Sequence, residues 1–176
     1  MKKHSGFTLI ELMVTLAVAV ILAVIAVPGF RTIIQNNRAT TQANDLLTAM
    51  TLARSEAIKR GSNVSVCSVA DPIPSPIVCA ASNDWATGWI VFTDDGATAG
   101  DFDTGTDTLL RVWEPVSSGT TLAGNANNVQ YLASGLTTAA ANITFTLTAA
   151  DCTGNNVQTI GINPTGRGHI ATSLCP

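Results

Sequence analysis

The sequence predicts an α+β protein in which one long N-terminal helix packs on an antiparallel β-sheet or sandwich. Three observations carry that expectation. Residues 7–27 form an apolar run broken by a single charge, Glu11. Beyond it, apolar residues recur every three or four positions until about Arg60, the period of an amphipathic helix. From Gly61 the pattern changes to short β-branched and aromatic runs between Gly, Asn, Asp and Thr clusters, which are strands separated by turns. One helix followed by a series of short strands is an α+β order rather than a parallel α/β one.

The first element is long enough to cross a bilayer. Phe7 to Val27 is 21 residues, and at a helical rise this spans roughly 31 Å, the thickness of a hydrocarbon core. Lys2 and Lys3 precede it, which orients them to the cytoplasm and sends the remainder across. A removable secretory signal would have a shorter apolar region, no acid and a small-x-small cleavage site; Ala23 and Ala26 do not have that spacing. Glu11 is the anomaly, since a carboxylate at the centre of a membrane helix costs about 2.5 to 3.5 kcal/mol and calls for a partner.

The residues around that acid, Gly6-Phe7-Thr8-Leu9-Ile10-Glu11, resemble the prepilin motif of type IV pilins and type II secretion pseudopilins. The resemblance implies that a dedicated prepilin peptidase cuts after Gly6 and methylates the new amino terminus at Phe7. It also implies that Glu11 meets the terminal amine of a neighbouring subunit. Residues 1–6 would then be a prepilin leader, 7–30 the transmembrane half of the helix, 31–60 its amphipathic soluble half, and 61–176 a β-rich globular domain.

Pro28-Gly29 closes the apolar run and predicts a kink or local unwinding at Pro28 rather than a stop. Members of the family carry a proline here. In the second half of the helix Ala43, Leu46, Leu47, Met50, Ala53 and Ala57 form one stripe, read as core packing. Glu56 stands four residues before Arg60, Lys59 and Arg60 suit a helix C-terminus, and Gly61 suits its stop.

Strands are predicted at 63–69, 89–93, 109–114, 129–132, 143–148 and 157–162, with a proline-stiffened loop over 71–76. Three segments narrow the resemblance to the GspH/FimT/FimU group of minor pilins and pseudopilins. They are Ala53 to Gly61, Gly88 to Asp94, and Pro164-Thr165-Gly166-Arg167-Gly168. The implied architecture is type IV pilin-like.

From Gly61 onward the only cations are Arg111 and Arg167, against nine acids, a net charge of −7. Such a domain repels nucleic acid unless its cations cluster. DNA-uptake members of the group carry Gly-Arg-x-Arg where this chain has Gly166-Arg167-Gly168-His169. Arg167 matches, but His169, which is no permanent cation, replaces the second arginine. Arg167 and His169 are therefore the candidate DNA contacts, a glycine-rich structural turn is the preferred reading, and DNA is not an expected partner.

Cys67, Cys79, Cys152 and Cys175 would lie on the exported side, where disulfides persist. Four cysteines allow three pairings. Pairing Cys67 with Cys79 and Cys152 with Cys175 closes short local loops, and the second bond would pin the C-terminus as pilins often do. A zinc site would call for C-x-x-C spacing, which is absent from the sequence. Asp101, Asp103 and Asp107 alternate around Gly105 and are candidate calcium ligands, although the run departs from the EF-hand pattern and lacks its closing glutamate. A solvated hairpin loop is the simpler reading, and neither metal nor cofactor is expected.

With one histidine outside the leader, no nucleophile or acid–base constellation can be assembled, so no enzyme is expected. The sequence reads as a minor pilin acting in pilus assembly or a tip complex. A type II secretion pseudopilin and a DNA-binding competence pilin are the alternatives. The expected partners are prepilin peptidase, other minor and major pilins or pseudopilins, and the inner membrane. The expected location is the bacterial inner membrane, single-pass with a periplasmic domain, and then a pilus or pseudopilus.

Overall fold

The computed structural model describes residues 7–70, 73–150 and 152–175, and of residues 25–32 only the backbone. Two compact units divide the chain, Met1–Gln35 and Asn36–Pro176. The first helix, α1 (Leu9–Arg60), contributes to both. Its helical backbone continues through Pro28 and Gly29 without the stop that a Pro-Gly pair often makes, and nothing is described of the side chains there. Gly61 ends it, taking a positive φ of 67° and donating its N–H to the Ala57 carbonyl at 2.9 Å, as helix C-termini commonly do. On the last turn Arg60 and Lys59 lie 2.7 and 3.4 Å from Glu56. Arg60, and to a lesser degree Lys59, holds that carboxyl below its ordinary range.

In the second unit the strands form two four-stranded sheets, antiparallel at every pairing. The first contains β1 (Val64–Ser68), β2 (Trp89–Thr93), β3 (Leu109–Trp113) and β5 (Asn128–Tyr131), in the order β3-β2-β1-β5. The second contains β4 (Thr121–Gly124), β6 (Ile143–Thr148), β7 (Val157–Ile162) and β8 (Gly168–Ser173), in the order β4-β6-β7-β8. The sequence pattern locates six of these strands to within a residue or two. It misses β4 and β8, and the glycine-rich turn expected at 166–169 is corrected: Gly168 and His169 already belong to β8. Both missed strands edge the second sheet. Thr-Leu-Ala-Gly buries one side chain, and no residue of β8 is fully buried, so neither has the alternation that identifies a half-buried strand.

The soluble half of α1 supplies the centre of the core. Ala43, Leu46, Met50, Ala53 and Ala57 are fully buried as the stripe predicts, Leu47 is partly buried, and Ala39 and Ala49 widen it. Five of these residues are alanines, small enough for backbone and sheet to approach closely, so larger side chains of the sheets fill the layer. Val64, Val66, Trp89, Val91, Val129 and Tyr131 come from the first sheet, and Leu122, Ile143, Phe145, Leu147, Ile160 and Ile162 from the second.

The first sheet is covered on both faces. Val64 and Val66 of β1 and Trp89 and Val91 of β2 join the helix-facing core. Their alternates Cys67, Ile90 and Phe92 form a second cluster with Val69, closed over by Ile73, Ile77, Cys79 and Phe102. That is why Trp-Ile-Val-Phe-Thr is buried at all five positions rather than alternating.

The disulfides join Cys67 to Cys79 and Cys152 to Cys175, each with Cα atoms 5.7 Å apart, the local pairing favoured from the sequence. The first ties the covering loop to β1. The second holds the segment after β8, whose Cys175 N–H also bonds the Gly154 carbonyl at 2.9 Å. Replacing Cys152 and Cys175 together by serine should cost about 2 to 5 kcal/mol, read as the loss in unfolding free energy in denaturant titrations of the oxidised protein.

Candidate functional site

Two places bring candidate functional residues together, and the first is the start of α1. Thr8 is its N-cap: the Glu11 N–H bonds the Thr8 hydroxyl at 3.3 Å, while the Thr8 N–H and hydroxyl donate to Glu11 Oε2 at 2.9 and 2.8 Å. This is a reciprocal capping box, a helix-start signal readable in Thr8-x-x-Glu11 that the sequence reading passed over in favour of the acid alone. One carboxylate oxygen is committed to the helix terminus; Oε1 takes part in none of these bonds. Every side chain from Phe7 to Val24 is exposed, Phe7 itself at 89%. A largely apolar surface of this length, carrying the single acid Glu11, is of the kind that contacts lipid or other chains. Gly6, the expected cleavage position, lies outside the described residues. No helix among the described residues is long and apolar enough to cross a membrane; the span expected over 7–30 continues into residues whose side chains lie outside them.

The second place is where α1 meets the tips of two loops. Arg54, half-buried on the helix, donates Nε to the Gly135 carbonyl at 3.0 Å and Nη2 to the Thr165 carbonyl at 3.3 Å. The turn between β7 and β8 is closed by Asn163, whose carbonyl accepts the Gly166 N–H at 2.8 Å and whose side chain accepts the Arg167 N–H at 2.9 Å. Gly166 has φ +77°, and a Cβ there would run into the Gly135 carbonyl. Arg54, Tyr131, Gly166, Arg167 and Gly168 line a groove of about 280 Å³, together with Met50, Thr51, Ser55 and Ile58. Burial pushes the Tyr131 phenol well above its ordinary pKa, and the charge of Arg54 opposes this only in part, so the hydroxyl stays protonated. Arg167 is exposed at the hairpin tip, and His169 is exposed on β8.

The middle signature has a structural use as well. Asp94 is buried, and its Oδ2 accepts from Ser65 Oγ, Gln130 Nε2 and, at 2.8 Å, the Gly100 N–H. It anchors the acidic loop to the face of β1 and β5. Within that loop Asp107 accepts the N–H groups of Asp95, Gly96 and Asp103 at 2.8 to 2.9 Å, Asp103 accepts that of Ala97, and Asp101 that of Phe102. The carboxylates proposed as calcium ligands are thus turned to backbone donors, and among the described residues no three acidic, histidine or cysteine side chains group to hold a metal ion.

A family profile described as type II transport protein GspH matches residues 42–166, and one described as a prokaryotic N-terminal methylation motif matches residues 1–27. No curated protein sequence matches. Among solved structures the chain is similar to the type IV minor pilin FimU of Pseudomonas aeruginosa in two crystal forms. One shows 18% identity over 75% of this chain and 91% of FimU, with a TM-score of 0.56. The other shows 19% over 80% and 90%, with a TM-score of 0.57. The minor pseudopilin EpsH from the type 2 secretion system of Vibrio cholerae is 15% identical over 77% of this chain and 97% of EpsH, with a TM-score of 0.51. At these identities the likeness is one of fold.

The segments singled out from the sequence are accordingly joints of the fold: Arg54 clamps two loop tips to α1, Asp94 holds the acidic loop, and Gly166 makes the close turn. Gly166→Ala should destabilise the protein by about 1 to 3 kcal/mol, because it forces a left-handed φ on a side-chain-bearing residue at a crowded site. Urea unfolding measures this, with Gly154→Ala, which has open space around its Cβ, as the control for the backbone contribution alone.

Proposed function

The chain belongs to the family of type II transport protein GspH, whose profile spans residues 42–166, and from that premise we propose that it is a minor pilin, a structural subunit that enters a type IV pilus at or near its tip. The observation that carries this reading is the start of α1: an exposed apolar surface from Phe7 to Val24 that carries one acid and belongs to the segment matched by the methylation motif. Prepilin peptidase cuts after Gly6 and methylates Phe7, the span over 7–30 anchors the subunit in the inner membrane, and the β-rich domain is held in the periplasm until assembly. Pro28 marks the place where the helix kinks as subunits pack. The protein works by assembly rather than catalysis, with other pilins as its partners.

Glu11 has two jobs in this scheme. Its Oε2 completes the cap with Thr8, which lessens the penalty of an acid in lipid. Its Oε1 accepts the Phe7 amine of the neighbouring subunit, a charge-assisted bond strengthened by low dielectric. The family's description as a transport protein favours a second reading, a pseudopilin of type II secretion, which uses the same physics with different partners. DNA binding has less support: the domain from Gly61 is strongly acidic, and His169 stands where DNA-uptake members of the group carry a second arginine.

Glu11→Leu should insert in the inner membrane at least as well as wild type, since it removes the costly acid, but should be recovered in sheared pili at roughly a tenth of the wild-type level or less, as expected when a charge-assisted contact is lost. The comparison is made by quantitative immunoblotting of membrane and filament fractions. Equal recovery of the variant would contradict the assembly role of Glu11. Wild-type protein appearing only in secretion pseudopili would favour the second reading.

A further inference from the structure

The groove between α1 and the β7–β8 turn is one-sided in its chemistry. Both bonds of Arg54 go to neutral carbonyls, Gly135 and Thr165, and a guanidinium has five N–H donors. The ion pairs among the described residues join Lys59 and Arg60 to Glu56; neither Arg54 nor Arg167 takes part in one. Tyr131, on the same groove, is fully buried, and its hydroxyl has no hydrogen-bond partner among the described residues. Buried polar groups are nearly always paired, so an unpaired phenol lining a groove with two arginines is a donor for something that enters it.

We propose that this groove binds an aliphatic carboxylate, supplied by an acidic side chain of an adjoining polypeptide. A carboxylate matches the planar fork of arginine and accepts several hydrogen bonds at once, while Met50 and Ile58, also on the groove, suit the short alkyl stem that carries it. Phosphates of DNA fit less well. Nucleic-acid affinity is built from a row of neutralised phosphates, whereas here two arginines, Arg54 and Arg167, line one groove of about 280 Å³, and the residues from Gly61 onward carry −7. The site stands on the groove's own geometry; that the polypeptide is another filament subunit rests on the assembly reading.

The test uses the full-length chain in detergent micelles, with backbone amide shifts of Gly166 and Gly168 followed by NMR. Its probes are glutarate, the blocked peptide acetyl-Gly-Glu-Gly-amide, inorganic phosphate and a short DNA duplex. Glutarate and the peptide should shift both amides saturably, the peptide at least as tightly. Arg167→Gln and Tyr131→Phe should each weaken both roughly tenfold. Arg167 is exposed and Tyr131→Phe keeps the buried ring, so both variants should retain the wild-type spectrum elsewhere. Variants that bind like wild type, glutarate binding without peptide binding, or tighter binding of phosphate or DNA than of the peptide would each overturn the proposal. None of these results depends on filament assembly, so failure here leaves the assembly reading untouched.

Discussion

Burial of one alanine-rich stripe of α1 is the constraint on which the second unit depends. Ala39, Ala43, Ala49, Ala53 and Ala57, with Leu46 and Met50, are covered to within about 1% of their surface. Both sheets add side chains to the same cluster, so the helix supplies a core that neither sheet completes alone. The small residues set how near the sheets come, and the large side chains, Trp85, Trp89, Tyr131 and Phe145 among them, come from the β-rich part. Polar fastenings then fix the register of loops on this scaffold: Gln42 to Ser117 at 2.7 Å, Arg54 to two carbonyls, and Trp85 Nε1 to the Ala126 carbonyl at 2.9 Å.

The same helix presents two different surfaces along its length. From Asn36 onward most of its apolar residues are buried within the unit, Ile58 being exposed, whereas Phe7 to Val24 are exposed throughout. One segment is folded against its own chain, and the other has the surface of something made to be covered by lipid or other helices. The capping box of Thr8 and Glu11 fits that division. It lets a single acid sit at the start of an apolar helix with one oxygen hydrogen-bonded and the Thr8 and Glu11 N–H groups paired.

Much of this was legible in the sequence because the patterns are periodic. The stripe from Ala43 to Ala57 and six of the strands follow from the pattern of apolar residues, while the local disulfide pairing is one of the three that four cysteines allow. What escaped lacks a one-dimensional signature. β4 and β8 are edge strands with few buried side chains, so nothing in Thr-Leu-Ala-Gly or Gly-His-Ile-Ala-Thr-Ser distinguishes strand from turn. The acidic loop reads as a solvated hairpin with calcium as a lesser candidate, and the bonds of its carboxylates to backbone amides are not visible in the sequence. The groove of Arg54, Tyr131 and Arg167 draws on α1, β5 and the β7–β8 turn, residues far apart in sequence whose meeting only the tertiary fold creates. Arg54 and Gly166 could be singled out as parts of family signatures, but their use, one clamping and the other permitting close approach, appears only in three dimensions.

The central claim, that the chain is a processed filament subunit, is tested most directly at its amino terminus. Intact-mass analysis and terminal fragmentation of the protein recovered from filaments should find the six-residue leader removed from the 176-residue chain, leaving 170 residues that begin with an N-methylated Phe7 next to the Thr8 cap of α1. A mature terminus near Ala26, or an uncleaved chain beginning at Met1 in the filament fraction, would contradict the account.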